Sequence, residues 1–298
     1  MYSYILLIFV VIFYAGNILM GKAMNDLPPF TIAFFRLFAA FIFLLPIGYR
    51  RALKAKPVFL KHYKPLLVMT ITGVAFFNTF IYASLQFTSA TNVAVLETII
   101  PVLTVILSSV VLKERLTKLQ LAGVFLSFCG ALGVVVNGNI WQLAKMDWNI
   151  GDIIMVGAII CWAVYSMIVK EVVHLFPPLG VLLVMTGISL IVLIPFVTLE
   201  WISLGVPPLW NFSNIIGFLY LGIFPSLIAL LFYNHAVAHL GASKASIFLN
   251  LLPVFTMAGA YIWLGDEISM VQIIGAGTVI LGVVFTTRPQ KVKEKIGV

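Results

Sequence analysis

Two charged residues stand inside runs that are otherwise apolar: Arg36 in Phe34–Phe43, and Glu97 in Val93–Leu103. A charge in such surroundings is costly and must meet a counter-charge, a polar cavity or a ligand. Three roles suit the pair. It is a structural ion pair pinning two helices, a substrate contact or gate, or a site whose carboxylate carries protons. Pro101 lies four residues after Glu97, and Pro253 four after Leu249. Each proline removes the donor to the carbonyl four residues back and so kinks its helix. Kinked helices line ligand sites in membrane carriers, although neighbouring Ser or Thr can also satisfy a purely structural kink. The expectation is that Pro101 and Pro253 flank a central cavity, while Pro46 and Pro195 shape packing.

Polar and aromatic residues in the middle of other apolar runs supply a candidate lining: Tyr14, Asn17, Asn78, Tyr82, Trp162, Tyr165, Tyr233, Asn234 and Asn250. In lipid an Asn side chain needs a partner, which is another helix or a ligand. With Glu97 they would form an aromatic, weakly anionic pocket for a cationic or zwitterionic amine, helped by cation–π attraction. His235 and His239 share a helix face, without the acidic or cysteine neighbours a metal site needs, and suit an interfacial or pH-sensitive role. Cys129 and Cys161 have no metal-ligand spacing. The sequence contains no Walker loop, His-Glu-x-x-His pair, Gly-x-Ser-x-Gly elbow or Asp-rich cluster. No metal or cofactor is therefore expected.

What positions these residues follows from composition. Hydrophobic residues make up 62% of the 298, charged residues 9%, and the mean hydropathy is +1.13. Soluble domains carry roughly 25% charged residues, so most of this surface must face lipid. An all-α integral membrane protein follows. Its apolar runs give ten spans, over 4–24, 29–49, 65–86, 90–112, 117–137, 150–170, 178–200, 211–236, 241–263 and 269–287. The first run lacks a basic leader and a small-residue cleavage site, so it reads as a span and not a signal peptide.

With the N-terminus inside, fifteen of the eighteen Lys and Arg fall on the cytoplasmic side. These include Arg50 to Lys64, Lys113, Arg115, Lys118, Lys170, Lys244 and the tail from Arg288 to Lys295. Lys22 and Lys145 fall outside, and Arg36 lies within a span. The positive-inside rule then places both termini in the cytoplasm of a cell membrane protein. The same topology puts Trp141, Trp148, Trp201, Trp210 and Trp263 at the outer interface, as their amphipathic rings prefer. The +8 charge thus belongs to loops facing the membrane's inner side, and nucleic acid is not an expected partner.

The chain also repeats itself. An offset of 148 superposes Ala15 on Ala163 and Lys22 on Lys170; 149 superposes Pro28-Pro29 on Pro177-Pro178 and Pro46 on Pro195. An offset of 152 superposes Phe80, Ala90, Pro101, Leu112, Gln120, Gly123 and Gly130 on identical residues, and Glu114 on Asp266. Two five-helix halves, residues 1–140 and 141–298, follow. Five being odd, the second half enters the membrane upside down, the plan of many secondary transporters. The stripes Gly123/Gly130 and Gly275/Gly282 allow close helix approach, within the fold or along a dimer seam.

These elements resemble the EamA-type ten-helix proteins of the drug/metabolite transporter superfamily. The resemblance rests on Phe13–Asn17 with Lys22, on Arg36, on Tyr82-Ala83-Ser84 to Ala94, and on Pro101. It continues through Leu112-Lys113-Glu114-Arg115-Leu116-Thr117, Gln120, Gly123 and Gly130. Pro253, Leu264-Gly265-Asp266-Glu267, Gln272, Gly275 and Gly282 repeat the pattern. Lys113 stands where the family usually has Gly. The resemblance implies secondary transport, commonly export, of amino acids, amines, other small metabolites or drugs by alternating access. The implied partners are a small-molecule substrate, the bilayer, and protons or a counter-substrate, for a monomer or homodimer. The alternatives are a channel and a membrane-embedded enzyme acting on a lipid or small apolar substrate.

Overall fold

A computed structural model describes residues 2–88, 90–114, 116–139, 141, 149–264 and 267–287. Arg115, Lys145, Trp148, Gly265, Asp266 and the basic tail from Arg288 to Lys295 lie outside the described residues, as do the side chains of Trp263 and Leu264. Among the described residues, nine helices are long and apolar enough to cross a membrane. They are α1 (Tyr2–Ala23), α2 (Pro29–Lys54), α3 (Tyr63–Leu85), α4 (Asn92–Val111), α5 (Lys118–Val135), α6 (Ile150–Leu175), α7 (Pro178–Leu204), α8 (Phe212–Leu240) and α10 (Met270–Thr287). The remaining expected span, α9, is built in three pieces: Ala242–Ile247, a 3-10 turn over Phe248–Leu251, and Leu252–Leu264.

Local sequence explains where these helices begin. Pro29 and Pro178 open α2 and α7 at positions where a helix has no use for an N–H. Thr117 and Gln120 cap α5 reciprocally, and Ser269 and Gln272 do the same for α10. Asn149 and Asp152 cap α6, and Asn211 accepts from the Asn214 N–H at the start of α8. The outward faces carry Ile, Leu, Val and Phe, including Ile5, Phe9, Ile42, Ile191 and Ile274, as a lipid-facing surface requires.

Several helices are not regular. A π turn occupies Thr70–Phe76 in α3 and another Phe224–Ala229 in α8. α4 breaks at Thr98, between Ala90–Glu97 and Ile99–Val111, directly before Pro101. Pro253 follows the 3-10 turn of α9. The spans bearing Pro101 and Pro253 are therefore interrupted where the missing donors predict it, whereas α2 and α7 run unbroken through Pro46 and Pro195.

Packing follows the repeat. α5 lies against α10 and α2 against α7; α3 packs on α6 as α8 packs on α1, and α4 on α9. The self-paired helices run antiparallel. A Cβ built on Gly123 would stand 2.6 Å from the Gly282 carbonyl oxygen, and one on Gly130 would stand 2.9 Å from that of Gly275. Likewise Phe30 stacks on Phe196 at one end of the α2–α7 pair, while a Cβ on Gly48 would meet the Leu179 carbonyl oxygen at the other. The glycine stripes are thus an internal seam between the halves.

Because the backbones themselves touch there, no side chain can yield. Gly282→Leu is expected to force α5 and α10 apart at a cost of about 1–3 kcal/mol. The check is a lower melting temperature of the detergent-purified protein, against an unchanged one for Gly277→Leu, whose Cβ would meet nothing within 4 Å.

Candidate substrate site

Arg36 leaves α2 for the middle of the bundle and is 3% exposed. Its Nε and Nη2 both donate to Ser226 Oγ in the α8 π turn, at 2.9 and 2.7 Å. Its Nη1 donates to Asn17 Oδ1 of α1 at 3.1 Å and to the Tyr82 hydroxyl of α3 at 2.6 Å. Tyr82 in turn donates to Asn17 Oδ1, and Asn17 Nδ2 to Asn78 Oδ1. Four helices from both halves therefore converge on one guanidinium.

An aromatic group covers the other side. Trp162 of α6 packs edge-on to Tyr14 and against Phe77, Tyr165 and Tyr233, with centroids 4.4 to 5.8 Å apart. Tyr165 donates to Asn234 Oδ1 at 2.6 Å. Ser166 gives its single proton to the Trp162 carbonyl, so the Tyr233 hydroxyl donates to Ser166 Oγ.

Between the two groups lies a cavity lined by Tyr14, Arg36, Leu37, Gly73, Val74, Asn78, Trp162, Pro225, Ser226 and Leu230. Its volume is about 10 Å³, room for a single water. The centre is too small for a solute in this structure. Two larger pockets lie toward opposite ends. One, of about 700 Å³, is bounded by Asn25–Phe30, Phe80, Phe87, Ile154, Glu200 and Leu204. The other, of about 430 Å³, is bounded by Tyr2, Leu6, His174, Phe176, Phe232, His235 and His239. Repeat offsets relate them: Phe80 corresponds to Phe232 and Ile154 to Leu6.

The same offsets relate the centre to itself. Tyr14 corresponds to Trp162, Gly73 to Pro225, Val74 to Ser226 and Asn78 to Leu230, and all eight line the one cavity. The Tyr82–Asn17 and Tyr165–Asn234 hydrogen bonds occupy equivalent places, with tyrosine and asparagine exchanged between them. Arg36 has no such twin; its counterpart is the buried Met185.

Of the expected site residues, Tyr14, Asn78 and Trp162 line the cavity, and Asn17, Tyr82, Tyr165, Tyr233 and Asn234 bond or pack around it. Four expectations need correction. The Arg36–Glu97 ion pair is not formed, because Asn17, Tyr82 and Ser226 take the guanidinium. Glu97 is half-buried beside the α4 break and off the lining, so the pocket is cationic and not weakly anionic. Asn250 bonds Ser127 of α5 instead of facing the cavity. Pro101 and Pro253 interrupt their helices, yet the irregular backbone on the lining comes from the two π turns. Gly73, Val74, Pro225 and Ser226 were missed. Pro225 in mid-span was the one available signal. His235 and His239 stack at 4.1 Å on the wall of the end pocket.

A bundle that is all-helical among the described residues and of membrane-spanning length, with a shared polar centre between two related halves, is the architecture of a multi-pass membrane protein. The chain belongs to the EamA-like transporter family, whose model matches residues 1–136 and again 149–288. It is 33% identical to the uncharacterized transporter YyaM of Bacillus subtilis, over 82% of this chain and 79% of that one. It is 27% identical to an uncharacterized transporter of Archaeoglobus fulgidus over 97% and 98% of the two chains. A probable terminal-alkyne amino-acid exporter of Streptantibioticus cattleyicolor is 24% identical, over 82% and 77%. A crystal structure with 16% identity superposes with a TM-score of 0.77 over 96% of this chain and 97% of that one, and so shares its fold.

Tyr165→Phe would leave the buried Asn234 carbonyl without its donor, a loss of about 1–3 kcal/mol. The melting temperature in detergent should fall accordingly. It should recover in part in the double variant Tyr165→Phe/Asn234→Leu, where no polar atom is stranded.

Proposed function

We propose that this protein is a secondary active transporter that exports small metabolites, amino acids foremost, across the cytoplasmic membrane by alternating access. The moving units are the two halves, 1–140 and 141–298, inserted with both termini in the cytoplasm. A proton or counter-substrate gradient supplies the energy, and no covalent chemistry is performed. The observation that carries this proposal is the central cavity, whose lining pairs equivalent residues of the two halves. In a carrier built from inverted repeats, the halves exchange conformations around a site near the bilayer midplane. The repeat-related pockets toward opposite ends supply what each access path needs.

The π turns give the motion a place to occur. π turns are rare and concentrate at functional sites, because one extra residue per turn leaves carbonyls available for other partners. Here the Leu221 carbonyl accepts from Ser226 Oγ, five residues on, instead of relying on a helical N–H alone. Converting such a turn to a regular helix shifts everything beyond it by one residue and swings the lining. The lining also holds no pair of carboxylates and no nucleophile–base couple, which favours binding over catalysis. The similarity to a probable terminal-alkyne amino-acid exporter supports both the direction and the class of cargo.

The test compares metabolites inside and outside cells that lack, carry or over-produce the protein. Intact protein is expected to enrich a small amino acid or related metabolite in the medium. Asn78→Leu, which copies the residue at the repeat-related position 230, should abolish most of that enrichment at equal protein level. Enrichment inside the cells would reverse the direction. No change for any metabolite or drug would remove the proposal.

A further inference from the structure

We infer that the central site is built for the carboxylate of a small solute with an apolar body, and selects against the corresponding amine. This rests on the proposal that the Arg36 cluster is the transport site, and it deepens that proposal by naming the group recognised.

The argument begins with charge. Arg36 is buried at membrane depth, and every group bonded to it is neutral: Asn17, Tyr82 and Ser226. Among the described residues the lining contains no Asp or Glu. A buried cation without a counter-charge is a large cost, which hydrogen bonds to neutral oxygens offset only in part. A bound anion would remove it. A cationic amine would instead bring a second positive charge into the same low-dielectric cavity, where repulsion at a few ångströms outweighs any attraction to Tyr or Trp faces.

Geometry then narrows the anion. The Nε–Nη2 edge is the side of a guanidinium that takes a carboxylate through two parallel hydrogen bonds. In this structure both of those donors point at the single oxygen of Ser226. One hydroxyl therefore occupies the fork as a place-holder, and a carboxylate could offer each donor its own oxygen. Ser226 sits in the α8 π turn, so a change in that turn withdraws the place-holder and exposes the fork. Arrival of the ligand and rearrangement of the turn become one event.

The number of charges favours a solute with a single carboxylate. One guanidinium balances one negative charge, and a phosphate dianion would leave an excess charge as costly as the one removed. The rest of the lining, with Leu37, Val74, Leu230, Tyr14 and Trp162, suits an aliphatic or aromatic body.

The experiment uses the full-length protein in detergent and in proteoliposomes, with matched probes: phenylalanine and phenethylamine, leucine and isoamylamine, phenylpyruvate, and benzylphosphonate. Thermal stabilisation and counterflow are read for wild type, Arg36→Met and Arg36→Lys. At least one carboxylate is expected to bind, with its decarboxylated partner and the phosphonate weaker by on the order of tenfold or more. Arg36→Met, which copies Met185 of the other half, should erase that preference. Arg36→Lys keeps the charge without the fork and should narrow it. If Arg36→Met does not fold, an undiminished preference in Arg36→Lys overturns the inference. So does an amine that acts as well as its acid, an effect reproduced by chloride alone, or a panel in which no acid acts. In each of those cases an export difference between cells with and without the protein would leave the transport proposal standing; absence of both signals would remove both.

Discussion

Lipid offers a backbone no hydrogen bonds, so a spanning segment must satisfy its own, and any departure from the α-helix has to be buried in protein or face a water-filled cavity. This constraint sorts the whole molecule. Each described span is helical, and the departures are few: the π turns of α3 and α8, the break of α4 at Thr98, the 3-10 turn of α9 and the 3-10 turn Val173–Leu175 that ends α6. The π turns put Gly73, Val74, Pro225 and Ser226 on the central cavity. Residues of the 3-10 turn, Phe248 to Leu251, are buried in the core. In a soluble protein such irregularities can be decoration. Here each must be compensated by neighbouring groups, and compensation concentrates polar side chains where the backbone is least regular.

The second organising feature is symmetry that is kept in shape and broken in chemistry. Helices α2 and α7, and α5 and α10, meet their own repeat equivalents, which fixes the cavity between the halves. Tyr82–Asn17 and Tyr165–Asn234 are the same bond with its donor and acceptor residues exchanged. Against that background Arg36 opposite Met185 is the largest chemical difference at the centre. A symmetric scaffold supplies the two states of a carrier, whereas recognition of an asymmetric solute needs one side to differ. Arg36 and Ser226 bond across the two halves, so the group that would recognise the solute also ties the halves together.

Sequence carried the spans and the repeat well, for reasons visible at single residues. Gln120 and Gln272 align because each closes a capping box, with Thr117 and Ser269, and that chemistry is strictly local. Gly123 and Gly130 align with Gly275 and Gly282 because backbone contact tolerates nothing larger. The partner of Arg36 was a different matter. Counting residues from the ends of two spans gives depth, but it gives neither the direction a side chain takes around its helix nor the order of helices in the bundle. Glu97 offered the opposite charge within another apolar run, yet the chain offers Arg36 three neutral oxygens instead. Ser226 is unremarkable as a residue type, and its importance comes from a π turn that only tertiary packing selects. The two prolines marked real breaks. The lining residues expected in α3 and α8 were the polar and aromatic ones, Asn78, Tyr82, Tyr233 and Asn234, and not Gly73 or Pro225 of the same helices, because a small or apolar residue gives no sign that it faces a cavity.

The two ends of the bundle are held by one device used twice. At one end the Glu200 carboxylate of α7 accepts from the N–H groups of Phe30 and Thr31 and from the Thr31 hydroxyl, capping α2. At the other, Glu114 in the α4–α5 connection accepts from the N–H groups of Ala242 and Ser243 and from the Ser243 hydroxyl, capping α9. Each carboxylate belongs to one half and each helix start to the other. A helix N-terminus leaves N–H groups without internal partners and favours negative charge, so both clasps combine hydrogen bonding with the helix dipole. A cap taken from the helix's own sequence, like Thr117 on α5, stabilises the helix without regard to what the halves do. A cap borrowed across the interface is lost when that end separates, so its free energy opposes opening there and nowhere else. The two clasps have the same make-up, two N–H groups and one hydroxyl donated to one carboxylate. In the proposed carrier such matched clasps would leave occupancy of the centre, and not the scaffold, to decide which end gives way.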